Sequence, residues 1–235
     1  AESSRLQGEL QRALVIGGNP RKDQPLLGQR LRQAARRGAH ILSLNEQRVD
    51  WAMPVHTVYQ ASASVWVQAL ADVAAAVAQA KGVLPLVVGN ATQPQALAIA
   101  QSLLSGERKA VLLGNAAAHH PQASGLLALA NWIAEQTGAS VGYLTEAANT
   151  VGAQLVQALP GEGGLNAGQM LAGGVKAAVL LHVEPGADSA VDGKALAQAD
   201  MVVTLSPFKT NLDISDVLLP IAPFSETSGS FVNAE

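Results

Sequence analysis

Short, continuously apolar runs recur along this chain about every 25–35 residues, each followed by a glycine-containing turn and an amphipathic stretch. Residues 13–17, 40–44, 84–89, 110–114, 140–144, 177–183, 201–205 and 217–221 read as strands, with 55–59 a further candidate. Residues 26–37, 65–80, 93–104, 122–136, 151–158 and 192–198 read as helices. Runs such as VLPLVV, AVLLG and AAVLLHV lack the alternation of a half-exposed strand, so they suit strands buried on both faces. Parallel strands need crossovers of a dozen or more residues, usually helical, and these spacings supply them. The expected fold class is therefore α/β, with doubly wound, parallel-rich sheets and Rossmann-like lobes.

The boundary is expected near Lys81-Gly82. A small first lobe, 1–81, has too few strands to complete a sheet by itself. The main doubly wound domain, 82–235, is expected to place residues 84–221 in one sheet. Small domains bury little surface, so the first lobe would lean on the second.

Composition narrows the chemistry. Hydrophobic residues make up 49% of the 235 and charged residues 14%, which excludes a disordered chain. Aromatics are only 3%, too few for base-stacking platforms, and no nucleic-acid partner is expected. There is no cysteine, which excludes disulfides, thiolate-held zinc, iron–sulfur clusters and thiol catalysis within this chain. The stretch 65–80 is the nearest to a membrane span, but Gln68, Asp72 and Gln79 interrupt it. No apolar signal core follows Ala1-Glu2-Ser3-Ser4-Arg5. The expectation is a cytoplasmic chain without membrane insertion.

Charge is uneven. Residues 1–50 carry nine Lys/Arg and five Asp/Glu, net +4, whereas residues 51–235 carry six and thirteen, net −7. A solvated helix face explains the basic part more simply than a nucleic-acid or protein-docking face, which stays open. Arg36 and Arg37 suit the last turn of a helix, and Gly38 suits the position after it.

Ligands of open α/β sheets sit beyond the carboxyl ends of the strands. Gly17-Gly18-Asn19, Gly89-Asn90 and Gly114-Asn115 stand there. Such turns can aim backbone N–H groups at a phosphate, yet ordinary strand-to-helix turns use the same residues. None completes G-x-G-x-x-G or a Walker A sequence. Gly138-Ala139-Ser140-Val141-Gly142 fits G-x-S-x-G, but a helix pattern precedes it and a strand pattern follows, the reverse of a nucleophile elbow. His119-His120 has no third ligand at useful spacing, so no metal site is expected. His40 and His182 read as strand residues, and His56 has no evident partner. The carboxylates stand singly, and no catalytic residue is assigned.

Two segments carry a family likeness. Leu14-Val15-Ile16-Gly17-Gly18-Asn19-Pro20, a basic helix, and then Arg37-Gly38-Ala39-His40-Ile41-Leu42-Ser43-Leu44 resemble a unit of the molybdopterin oxidoreductases, which include formate dehydrogenases. Ser215-Asp216-Val217-Leu218-Leu219-Pro220 with Glu226-Thr227-Ser228-Gly229-Ser230-Phe231-Val232-Asn233-Ala234-Glu235 resembles that family's A-D-V-V-L-P…E-x-x-G-T-x-x-N-x-E-G-R stretch. The likeness implies a fragment of a longer protein. Leu180, His182-Val183-Glu184 and the stretch 138–152 look most like one branch, the large iron–sulfur subunits of bacterial NADH-quinone oxidoreductase, respiratory complex I.

That resemblance implies a non-catalytic scaffold, cytoplasmic and peripheral to the inner (plasma) membrane. It would be docked to other peripheral-arm subunits in electron transfer from NADH to quinone. No cofactor is expected in this fragment, and iron–sulfur clusters are implied only for an N-terminal region outside it. In the pterin-binding relatives the second strand commonly ends Asp-Pro-Arg, whose carboxylate can read a guanine edge. Here Asn45-Glu46-Gln47 stand there. Gly17, Gly18, Asn19 and Asn45 are thus candidates only for a vestigial cofactor loop. The alternatives are a cofactor-binding fragment of a genuine molybdopterin oxidoreductase, such as a formate dehydrogenase, and a free-standing nucleotide-binding protein. The stretch 224–235 has few apolar anchors and is expected to be extended and loosely held.

Overall fold

The computed structural model describes residues 10–233. These residues divide into two compact units, the first ending at Ala148 and the second spanning Asn149–Val232.

The first unit contains β1 (Arg12–Ile16), α1 (Pro25–Arg36), β2 (His40–Asn45), β3 (Thr57–Gln60) and α2 (Trp66–Lys81). It continues through α3 (Pro94–Leu103), β4 (Lys109–Leu113), α4 (Asn115–Ala118), α5 (Ala123–Thr137) and β5 (Ser140–Tyr143). All five strands are parallel, in the order β3-β2-β1-β4-β5. Successive side chains of a strand face opposite ways. Leu14 and Ile16 therefore join the core under α2, α3 and α5, while Ala13 and Val15 pack with Leu27 and Leu31 of α1. Both faces of the central strands are covered, as their unbroken apolar sequence predicts.

Helix α1 opens on Pro25, whose fixed φ suits a first helical position, and closes with Arg36 in its last turn. Helix α2 is buried nearly all round, from Trp66 through Ala78, and lies against α3 and α5. Its alanines permit that close approach. With its lead-in turn it runs 19 residues at mean hydropathy 1.3, long and apolar enough to cross a membrane, but 61% of that stretch is buried inside the protein. Asp72 is buried within it and fully engaged: it accepts bonds from the Asn90 amide (2.7 Å), Gln68 Nε2 (2.9 Å) and the Tyr59 hydroxyl (3.4 Å).

The second unit contains α6 (Thr150–Leu155), α7 (Ala167–Leu171), β6 (Ala177–Leu181), α8 (Pro185–Asp188), β7 (Met201–Ser206) and β8 (Val217–Pro220). Its three parallel strands run in the order β6-β7-β8. Leu171, Leu180, Leu196 and Val202 make its core. Val179, Leu181 and Leu219, turned the other way, are exposed.

Five expectations are corrected. The boundary lies at Ala148, not Lys81-Gly82, because β4 pairs with β1 along its whole length and makes 1–81 and 82–148 one sheet. Residues 84–221 accordingly do not share a sheet: β4 and β5 belong to the first and β6, β7 and β8 to the second. Residues 84–89 form no strand. Val83 N–H bonds to the Ala78 carbonyl, and a Cβ on Gly89 would stand 2.3 Å from the Ala71 carbonyl oxygen, so the segment is pinned along α2. Of the predicted helix at 192–198, only a 3₁₀ turn at Lys194–Gln198 forms. The C-terminal stretch, beyond a 3₁₀ turn at Phe224–Glu226, forms no regular element, but against expectation it is neither fully extended nor loose: the Phe224 and Phe231 rings meet edge to face at 6.5 Å, and the stretch is tied at Val232. That residue's N–H donates to Asn149 Oδ1 (2.9 Å) and its carbonyl accepts from Gly152 N–H (3.0 Å). Residues 234–235 lie outside the described residues.

Candidate functional site

The strand order reverses between β1 and β4, so the carboxyl ends of these strands flank the position where open α/β sheets bind ligands. The turn after β1 and the turn after β4 cross here in close contact. Gly17 has φ +60°, and a Cβ there would stand 2.6 Å from Ala117 N and 2.8 Å from the Trp66 ring. A Cβ on Gly114 would stand 2.4 Å from Gly18 Cα. Only glycine permits this crossing. Two backbone bonds lock it: Gly114 N–H to the Ile16 carbonyl (2.8 Å) and Ala116 N–H to the Gly17 carbonyl (2.9 Å).

A cleft of about 310 Å³ opens beside the crossing. The structure brings all four candidates, Gly17, Gly18, Asn19 and Asn45, to its wall, with Asp23 and Glu46 beside them. Asn45 is buried, and its Nδ2 donates to the Gly18 carbonyl (3.2 Å) and to Ser43 Oγ (2.9 Å). Its amide group thus closes the loop onto β2 by donating inward. An aspartate there has no N–H for that bond, and would turn a second negative oxygen toward a carbonyl.

Sequence reasoning missed Asp23. Its Oδ2 accepts the Asn19 N–H (3.0 Å), while Lys22 and Asp23 donate their own N–H groups to the Asn19 carbonyl. The four-residue spacing of Asn19 and Asp23 before a helix was the available signal. Trp66 lies in a stretch that reads only as helix. Its ring abuts Gly17, its Nε1 donates to the Ala61 carbonyl (2.8 Å), and His120 stacks on it at 5.9 Å. Nearby, Arg21 is held by Asp50 at 2.6 Å. The Asp50 carboxyl lies below its usual range, first through the Ala52 N–H and then through Arg21.

The histidines separate. His119 meets Glu146 at 3.1 Å on the surface, whereas His120 Nε2 reaches the Ala63 carbonyl at 2.9 Å. His182 lies just beyond β6 with φ +53°. His40 and His56, which no sequence spacing links, stack on each other. Ser140 begins strand β5, in keeping with rejection of the elbow. No group of three His, Cys, Asp or Glu able to hold a metal occurs among the described residues.

A family profile described as molybdopterin oxidoreductase matches residues 11–235. The chain belongs to this family. Among solved structures, it is similar to a chain of the formyltransferase/hydrolase complex from Methylorubrum extorquens, solved with methylofuran, at 18% identity and a TM-score of 0.55. The likeness covers 93% of this chain but only 64% of that one, and it is a likeness of fold. No curated protein matches.

Molybdopterin is a phosphorylated pterin, so the family implies an anionic cofactor. The residues of this cleft do not fit one. Asp23 and Glu46 line it with no lysine or arginine among the lining residues, and the Asn19 N–H already bonds to a carboxylate. The buried Asn19 Oδ1 has no partner and calls for a donor, so it suits an N–H group and not an ionised phosphate.

Proposed function

We propose that this chain is the molybdopterin oxidoreductase-like scaffold region of the large iron–sulfur subunit of a bacterial NADH-quinone oxidoreductase. In this reading it carries no cofactor and performs no chemistry. It supports electron transfer from NADH to quinone by holding its place among the peripheral-arm subunits, at the cytoplasmic side of the membrane. The observation that carries the reading is the bond from Asn45 to Gly18, made in a cleft lined by two acidic residues, Asp23 and Glu46, and by no basic one. The family fold is kept while the polarity of the loop is wrong for a phosphorylated ligand.

The second reading is a cofactor-binding piece of a genuine molybdopterin oxidoreductase. The surviving glycine crossing favours it, since that geometry leaves open space at the strand ends. A thermal melt separates the two. Ligand at about a hundred times its dissociation constant stabilises by about 2.7 kcal/mol, and each kcal/mol moves the midpoint of a chain this size by roughly 2–4 °C. The scaffold reading expects no shift with millimolar GMP, GDP or NADH. A shift in the wild type overturns it, whereas a shift confined to Asn45→Asp points to a pocket silenced by one side chain. The assignment to the respiratory complex fails if deleting this region in frame leaves assembled NADH:quinone reductase activity intact.

A further inference from the structure

The opposite end of the first sheet, at the amino ends of its strands, gathers positive charge that the core does not explain. Arg12 is the register partner of His40 on one side and of Lys109 on the other. Register partners on neighbouring parallel strands face the same way, so these three side chains form one row. Like charges set side by side across strands repel. Arg12 is held by neutral acceptors, Ser105 Oγ (2.9 Å) and the Gln11 carbonyl (2.7 Å). His40 meets Ser102 Oγ at 3.0 Å. Among the described residues, neither Arg12 nor Lys109 has a carboxylate in salt-bridge contact.

Burial, then Arg12, then Lys81 lower the affinity of Lys109 for its proton. At the same end of the sheet lies a cleft of about 390 Å³ whose lining includes Arg12, so the cleft adjoins the charge row. Arg37 and Arg108 line it above a floor that includes Leu10, Ala34 and Ala39. Arg37 closes α1 and is exposed.

We propose that this end of the sheet is a docking face for an acidic segment of a partner protein, whose carboxylates would sit against Arg12, Arg37 and Lys109. The charge row crosses three strands, about 10 Å at the usual strand spacing. That span accommodates a few carboxylates beside an apolar side chain on the cleft floor. It is too short to follow a phosphate backbone, and no aromatic residue lines the cleft to stack a base. The proposal deepens the scaffold reading and rests on it. Its test reads only this face, so its failure is distinct from a failure of the nucleotide melts.

The probe is a fluorescein-labelled peptide, Glu-Glu-Leu-Glu-Glu-Leu-Glu-Glu, titrated with the 235-residue chain by anisotropy at about 50 and 200 mM salt. Arg37→Glu with Lys109→Glu is expected to weaken binding about tenfold or more. Lys22→Glu with Arg48→Glu makes the same charge change in the loops after β1 and β2, at the other end of the sheet, and is expected to change binding by less than about twofold. Should the first pair fail to fold by circular dichroism, Arg37→Gln with Lys109→Gln is expected to weaken binding about threefold. Equal losses in the two charge-reversed pairs, no loss in either, or no binding by the wild type would overturn the proposal. So would a single-stranded oligonucleotide of equal charge that binds as tightly, since that outcome marks a nucleic-acid face.

Discussion

The imidazole rings of His40 and His56 lie 3.8 Å apart and within 12° of parallel, joining the starts of β2 and β3. His40 is held below its usual pKa of 6.5 by burial, then by Arg12, then by His56. Ser102 and Thr57 engage the two Nδ1 atoms, at 3.0 Å each. A histidine that resists protonation in the folded state costs stability once the unfolded chain begins to take up the proton. Stability is therefore expected to be flat above about pH 7.5 and to fall as pH drops through 6.5 toward the lower folded value. Melts between pH 8 and 5 check this, with His40→Gln flattening the slope. An unchanged slope in that variant would assign the acid sensitivity to other groups.

The crossing at Gly17 makes a sharp stability prediction. Gly17→Ala meets both a left-handed backbone and contacts of 2.6 and 2.8 Å. Gly38→Ala has φ +92° but nothing within 4 Å of its Cβ. The Gly38 variant is expected to cost about 1–2 kcal/mol from the backbone alone. The Gly17 variant is expected to cost at least about 2 kcal/mol more, because Trp66 or the turn at Ala117 must move. Urea midpoints of the two variants check the difference.

Much of this fold can be read in the sequence because burial on both faces writes itself as unbroken apolar runs. Leu14, Leu42 and Val111 announce strands, and Pro25, Gly82 and Gly138 punctuate helices. Partner choice is another matter. Nothing in residues 12–16 says that 109–113 lies beside them, because parallel pairing spans long separations and leaves no local mark. For that reason the boundary at Ala148 is not legible in the sequence. VLPLVV at 83–88 has a strand's composition, yet its flanks are fixed to α2, and tertiary context outweighs propensity. In the cleft, the glycines were legible from their place after the strands, and Asn45 from the resemblance to the pterin-binding relatives. The Asp23 bond to Asn19 and the direction of the Asn45 amide were not, because they depend on how one turn folds back.

Asp72 tests the link between α2 and its flanking loop. Leu at this position removes the acceptor of the part-buried bonds from Asn90 N–H and Gln68 Nε2. Each hydrogen bond contributes about 0.5–1.5 kcal/mol net, so losing both in Asp72→Leu is expected to lower the urea midpoint clearly. Asp72→Asn keeps one acceptor oxygen and is expected to lose less. Tyr59→Phe removes only the long 3.4 Å bond and is expected to cost under about 1 kcal/mol. If Tyr59→Phe were the most damaging of the three, the carboxylate would be acting mainly on β3 rather than on the loop.

Hydrogen exchange distinguishes the two kinds of edge in the second unit. His182 N–H donates to the Leu205 carbonyl at 3.0 Å, so the alternation of strand β6 turns the Leu180 N–H toward β7 and the Val179 N–H toward the free edge. Val179 is thus apolar and within a strand, yet its amide is unprotected by the ladder. Val232 lies in an irregular stretch, yet its amide is held by Asn149 Oδ1. The expected order of exchange is Val179 fastest, Val232 intermediate and Leu180 slowest. Asn149→Ala is expected to bring Val232 up to the rate of Val179 and leave Leu180 unchanged. Val179 slower than Val232 in the wild type would mean that another strand covers the β6 edge.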